Sequence, residues 1–162
     1  MNLIKKLSHN IPPNYRDTIF GLLIKYLPVR FLMLIPCSYT AYLKCYFPRK
    51  GDVVIDCGAH IGNNTLLFSK LVGKRGLVIA LEPIEESFIK LQRKVNKLDN
   101  VVLIKKGLWK ETASAPIKFR IFSDTNLGAN VSNEINKDVA FEMRIVCISL
   151  DDLARDLKLK KL

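Results

Sequence analysis

The 162-residue chain is poor in acids, in paired cysteines and in long apolar runs, and each shortage excludes something. Fifteen Asp and Glu stand against 26 Lys and Arg, a formal charge of +11. The excess is uneven. Residues 1–50 hold eight basic residues and one acid, Asp17, whereas residues 51–162 hold eighteen and fourteen. A leader at +7 beside a domain at +4 argues against a specific nucleic-acid site and for a segment suited to an anionic surface. The four cysteines, Cys37, Cys45, Cys57 and Cys147, include no Cys-x-x-Cys pair, and no His lies at ligand spacing from two of them. That argues against a zinc site, and no metal is expected. Cys57 and Cys147 sit in apolar, strand-like runs and are expected as buried reduced thiols, which suits a cytoplasmic location. In the leader the longest uncharged run, Phe31 to Leu43, contains Pro36 and falls short of the roughly twenty residues that a bilayer span needs. It is also too far from the N-terminus for a cleaved signal. Neither internal repeats nor low-complexity tracts occur.

What is present is concentrated between residues 52 and 82. Asp52-Val53-Val54-Ile55-Asp56-Cys57-Gly58-Ala59-His60-Ile61-Gly62 is a short apolar run ending in an acid and a glycine turn. Asn63-Asn64-Thr65-Leu66-Leu67-Phe68 then reads as a helix opening. Gly76-Leu77-Val78-Ile79-Ala80-Leu81 reads as the next strand, closed by Glu82. Strand, glycine turn, helix and acid-ended strand form a nucleotide-binding βαβ pattern. Gly58 permits the sharp turn, and Gly62 lets the following helix pack close to the sheet. Amides at the helix start can face a carboxylate. Glu82 can accept two hydroxyl hydrogen bonds from a ribose. Gly-Ala-His-Ile-Gly does not match the dinucleotide spacing Gly-x-Gly-x-x-Gly, which disfavours an NAD-binding oxidoreductase. An acid two residues before the first glycine fits S-adenosylmethionine better, with Asp56 reaching its amino-acid end directly or through water. The expected cofactor-binding residues are Asp56, Gly58, Ala59, His60, Gly62 and Glu82. The His60 ring reads more simply as a solvent-facing turn residue than as a base.

Residues 45 to 157 resemble the FkbM-type methyltransferases, which use S-adenosylmethionine. The match runs through Pro48 to Gly62, Gly76 to Pro83, Asn100 to Ile104, Gly107-Leu108-Trp109 and Val146 to Leu153. It implies a Rossmann-like methyltransferase sheet in an α/β fold and methyl transfer, usually to oxygen, with a small-molecule or glycan hydroxyl as acceptor. In the family, the segment resembling Leu150-Asp151-Asp152-Leu153 is soon followed by a strand reading approximately Ile-Lys-Ile-Asp-Val-Glu-Gly. This sequence reaches Leu162 without it. The expectation is therefore an incomplete, truncated domain, with self-association through an unpaired strand edge. A non-catalytic remnant is the alternative. No catalytic base is identified.

Two divisions are expected: residues 1–47 as a basic, apolar helical leader and 48–162 as the S-adenosylmethionine-binding domain. The leader reads as helical pieces broken at Pro28 and Pro36. They pack on the sheet domain as an N-terminal helical cap or, in a second reading, make peripheral membrane contact through Lys5, Lys6, Lys25, Arg30 and Lys44. In the domain, helices are expected over 62–72, 84–98 and 150–159, and strands over 101–104, 117–122 and 142–149. Phe88, Leu91, Val95 and Leu98 line one face of the second helix. Trp109 reads as core packing or as a neighbour of an adenine ring. Residues 123–132, with Asn126, Gly128 and Asn130, read as a polar loop. Either Ser149 or Asp151 should cap the last helix.

Overall fold

The computed structural model describes residues 13–32, 47–122 and 139–159. Among the described residues two helices come first, α1 (Pro13–Tyr26) and α2 (Val29–Leu32), separated at Pro28. The expected break at Pro36 and the polar loop over 123–132 lie outside the described residues. β1 (Val53–Cys57), α3 (Asn63–Val72), β2 (Leu77–Leu81), α4 (Glu85–Val95) and β3 (Val101–Ile104) then form two successive β-α-β crossovers. Their sheet is parallel in the order β1-β2-β3, with Val53 opposite Leu77 and Val78 opposite Val101. Among the described residues β1 is an edge strand.

Period-two alternation sorts the sheet into two faces. Val54, Val78 and Ala80 face α3 and α4. Ile55, Ile79 and Leu81 face the opposite way, toward Ile148 and Leu153. The outer side of α3 is covered in turn. Phe20, Ile24 and Leu32 from the leader pack against Leu66, Leu67, Phe68, Leu71 and Val72. Lys70 Nζ donates to the carbonyls of Ile24 and Lys25, satisfying groups that a helix end leaves free. Three layers result here: leader, crossover helix and sheet.

The remaining elements form a smaller assembly. β4 (Gly107–Leu108) pairs in parallel with β7 (Cys147–Ile148). β5 (Ile117–Phe122) and β6 (Val139–Ile145) form an antiparallel pair, with Ile117 opposite Ile145. The single strand expected over 142–149 is thus two strands in two sheets. The change occurs at Val146, whose carbonyl accepts from the Gly107 N–H at 2.9 Å while its side chain is exposed. Inward-outward alternation continues across that residue, so the pattern carries no trace of the partner change. Trp109 packs edge-on against Phe119, ring centroids 6.0 Å apart, in a core with Ile145 and Cys147. α5 (Leu150–Asp156) is capped by Ser149, whose hydroxyl accepts from the Asp152 N–H at 3.1 Å.

One cysteine differs from expectation. Cys147 is buried, but Cys57 is exposed. It is the last residue of β1, paired with Leu81 of β2 on one side and, among the described residues, with no strand on the other.

Candidate functional site: the turn between the first strand and the first crossover helix

The turn after β1 is built by the backbone. The N–H groups of Gly58 and Ala59 both donate to the Leu81 carbonyl at 2.9 Å, tying the turn to the end of β2. Gly58 has φ +79, and a Cβ built there would meet nothing within 4 Å, so this position opens onto free space. Gly62 has φ +84 and caps α3 without any side-chain hydrogen bond. A Cβ there would lie 2.6 Å from Leu91 Cδ1, so glycine is required both by the left-handed backbone and by the approach of α4. Sequence reasoning attributed this to packing of the following helix on the sheet, whereas the close neighbour belongs to the second crossover helix. His60 also takes a left-handed conformation, φ 50, with its side chain exposed.

Glu82 is only 4 % exposed and stands at the same sheet end as this turn. Its Oε2 accepts from the His60 N–H at 2.8 Å and its Oε1 from the Ile84 N–H at 2.9 Å. Two backbone donors therefore fix the carboxylate, and each oxygen keeps a further lone pair for a hydroxyl. Asp56, 6 % exposed, lies on the helix side of β1, where its Oδ2 accepts from Thr65 Oγ1 at 2.6 Å. Burial pushes its carboxyl above the ordinary aspartate range; the Thr65 hydrogen bond opposes this and the Glu82 charge adds to it. All six expected residues are thus gathered at one end of β1 and β2. Their roles are unequal: Gly58 is open, Glu82 is oriented, Asp56 anchors the helix start, and Ala59 is buried beneath α4.

Sequence reasoning missed three neighbours. Thr65 is the partner of Asp56. Asn63 accepts from Lys94 Nζ on α4. Asn64 Oδ1 is buried without a hydrogen-bond partner in the first turn of α3. A buried amide oxygen left unpaired is costly, so this atom suits a donor from a bound molecule. Helical periodicity gave no warning, because Asn63 and Asn64 look like ordinary polar first-turn residues. Among the described residues, no cluster of His, Cys, Asp and Glu could hold a metal ion.

Parallel strands, an open glycine turn feeding a helix N-terminus, and an oriented acid on the neighbouring strand are the layout of a Rossmann-like α/β fold at the carboxyl ends of its strands. Residues 56–162 match the methyltransferase FkbM domain, and the chain belongs to that family of S-adenosylmethionine-dependent methyltransferases. It is also similar to protein-L-isoaspartate O-methyltransferase 1 of Archaeoglobus fulgidus, 29 % identical over 109 residues, covering 64 % of this chain and 50 % of the relative. The chain therefore spans about half the length of the curated relative it matches. Among solved structures it is similar to an S-adenosylmethionine-dependent methyltransferase from Aquifex aeolicus, with 26 % identity over 70 % of this chain and 49 % of that one, TM-score 0.42. A further similar structure is an rRNA-methylase from Clostridium thermocellum, with 33 % identity over 43 % and 38 % and a TM-score of 0.39.

The site's residues suit the family's cofactor on three counts: space above Gly58, free acceptor capacity on an oriented Glu82, and an unpaired acceptor on Asn64.

Proposed function

We propose that this chain binds S-adenosylmethionine at the turn between β1 and α3 and presents it for methyl transfer to an oxygen nucleophile, a hydroxyl of a small molecule or glycan. The observation that carries the reading is the Glu82 carboxylate, buried and held by two backbone N–H groups beside a glycine turn that opens onto space. In this reading Glu82 accepts the two ribose hydroxyls. Gly58 leaves room for the chain of the ligand, and the α3 N-terminus faces its carboxylate. Asp56, through its oxygen not engaged by Thr65, meets the amino group directly or through water. The sulfonium supplies an already activated methyl group. The protein's task is then alignment of donor and acceptor and exclusion of water, rather than extensive proton transfer.

The test is calorimetric titration of the full chain with S-adenosylhomocysteine and NAD in parallel. Heat with the first and none with the second is expected. Glu82→Ala should weaken S-adenosylhomocysteine binding by about ten- to a hundredfold, the range of hydrogen bonds to a charged group. Preferential NAD binding would overturn the reading.

A second reading has its own support. With β1 at the sheet edge among the described residues, the acceptor side of the turn has no adjoining strand. The chain then binds the cofactor with little turnover and pairs through that edge with another copy. Methyl transfer at the rate of a longer relative by a monomeric preparation would exclude this reading.

A further inference from the structure

Helix α1 carries two stripes with opposite fates. Phe20, Gly21 and Ile24 are buried, with Phe20 and Ile24 packed against α3. Tyr15, Leu22 and Tyr26 are spaced by seven and four residues, which aligns them along the other side of the helix. They are 57, 52 and 71 % exposed. Phe31 on α2 is exposed as well. Of the nine large apolar side chains exposed among the described residues, four lie in this short segment, so they form a feature of the leader rather than the scatter normal for a surface.

Cations flank the stripe. Lys25 Nζ lies 5.3 Å from the Tyr26 ring centroid, and the Arg30 guanidinium lies 5.0 Å from that of Phe31. Residues 1–50 carry eight basic residues against one acid. An outward stripe of two tyrosines, a phenylalanine and a leucine, bordered by Lys and Arg within an acid-poor segment, has the composition of an element lying in a membrane interface. Amphipathic rings sit there at headgroup depth, and cations meet lipid phosphates. α1 has 14 residues, about 21 Å of helix, and no described helix is long and apolar enough to cross a membrane.

We propose that the outer face of α1 and α2 is a docking surface for an anionic lipid bilayer. Tyr15, Leu22, Tyr26 and Phe31 enter the interface, while Lys25 and Arg30 bind lipid phosphates. Charge complementarity selects this occupant. A nucleic-acid partner would leave Leu22 and much of the ring area idle, and a second copy of the chain would bring its own excess of positive charge. With few apolar anchors, the attachment is reversible and sensitive to salt.

The test is sedimentation of the full chain with two vesicle types: phosphatidylcholine alone, and phosphatidylcholine with about one-third phosphatidylglycerol. About tenfold more bound protein on the anionic vesicles is expected at low salt, falling steeply as salt is raised. Leu22→Ser/Tyr26→Ser should lower the bound fraction about tenfold on anionic vesicles. Lys25→Gln/Arg30→Gln should abolish the preference for them. Emission from Trp109, packed in a separate core, reports that each variant is folded; Tyr26→Ser alone serves if the double variant is not. Equal binding to both vesicle types, pelleting without vesicles, or binding unaffected by any of these substitutions overturns the proposal. So does duplex DNA that displaces the chain from vesicles at equal charge.

Discussion

The two crossover helices occupy equivalent places in successive β-α-β units, yet they meet their surroundings differently. α3 buries eight of its ten residues, whereas α4 buries only Leu91 and Val95 of eleven. The cause is the leader, which lies on the outer side of α3 and leaves α4 facing solvent. The sequences already differ accordingly. Asn-Asn-Thr-Leu-Leu-Phe-Ser-Lys-Leu-Val spreads its five apolar residues over about two-thirds of the helix circumference, while Glu-Glu-Ser-Phe-Ile-Lys-Leu-Gln-Arg-Lys-Val confines its apolar residues to one face. A helix with so wide an apolar surface needs cover on both sides. The first crossover helix thus forecasts a third layer, and the leader supplies it.

The largest effect expected from this difference follows from truncating one leucine. Leu67 is fully buried between sheet and leader. Leu67→Ala should cost about 2–5 kcal/mol, the range for buried leucines. On α4, Ile89 is 37 % exposed, and Ile89→Ala should cost under about 0.5 kcal/mol. Urea unfolding of both variants measures the gap. Equal midpoints would mean that the leader does not cover α3 in solution.

A smaller effect isolates the leader from the core. At Gly21 a Cβ would stand 2.8 Å from Asn63 Oδ1 and 3.3 Å from Lys94 Nζ. Gly21→Val forces a branched side chain into that contact, at about 1–3 kcal/mol for an overpacked site. Helix propensity, which favours valine over glycine by a few tenths of a kcal/mol, offsets little of it. Hydrogen exchange should show α1 amides losing protection while β2 amides keep theirs. Because Asn63 opens α3 next to the glycine turn, affinity for S-adenosylhomocysteine should fall in the same variant. Unchanged exchange in α1 would show that the leader's contact with Asn63 and Lys94 does not hold it down.

Much of this arrangement was legible in the sequence, and the limits are physical. The strand-acid-glycine-helix pattern and the acid at the end of β2 identified the turn because each residue type there answers a backbone requirement. The unpaired edge of β1 was expected only through the family resemblance, since a strand apolar throughout looks the same whether one or both neighbours are present. The exposure of Cys57 follows from that edge. Thr65, Asn63 and Asn64 were missed because their partners, Asp56 and Lys94, or the lack of one, depend on tertiary contacts that periodicity does not encode. The split at Val146 was hidden for the same reason.

Two acids sharpen the contrast between covered and open regions through pH. Asp56, under α3, has its carboxyl pushed up chiefly by burial, so the folded state holds that proton to higher pH than the unfolded chain does. Its stabilising contribution is complete below the ordinary aspartate value and is lost as pH rises through the raised folded value. Asp56→Asn keeps an acceptor for Thr65 and removes this loss, so its stability relative to the parent should climb from acid toward neutral pH. Asp152, on α5, is shifted down by hydrogen bonds from Thr112 and Ser149, with Arg155 adding. Its contribution is present above the ordinary value and fades as pH falls through the lowered one, so Asp152→Asn should be less stable than the parent at neutral pH, the deficit closing in acid. Urea midpoints across the acid range measure both slopes. Slopes of the same sign would show that Asp56 is solvated rather than covered.

The smallest effect is expected on the outer face of α4. Glu86 pairs with Lys90 one turn on at 2.5 Å, and this contact lowers the Glu86 carboxyl below its ordinary range. Glu86 also lies in the first turn, where the helix dipole favours an acid. All of these interactions are in water, with the two side chains 55 % and 79 % exposed, so solvent and salt screen them and ordering the long side chains offsets what remains. Glu86→Gln should leave the urea midpoint unresolved from the parent at both low and high salt. A loss comparable to that of Leu67→Ala would contradict the open face assigned to α4. It would require that some further layer cover the second crossover helix as the leader covers the first.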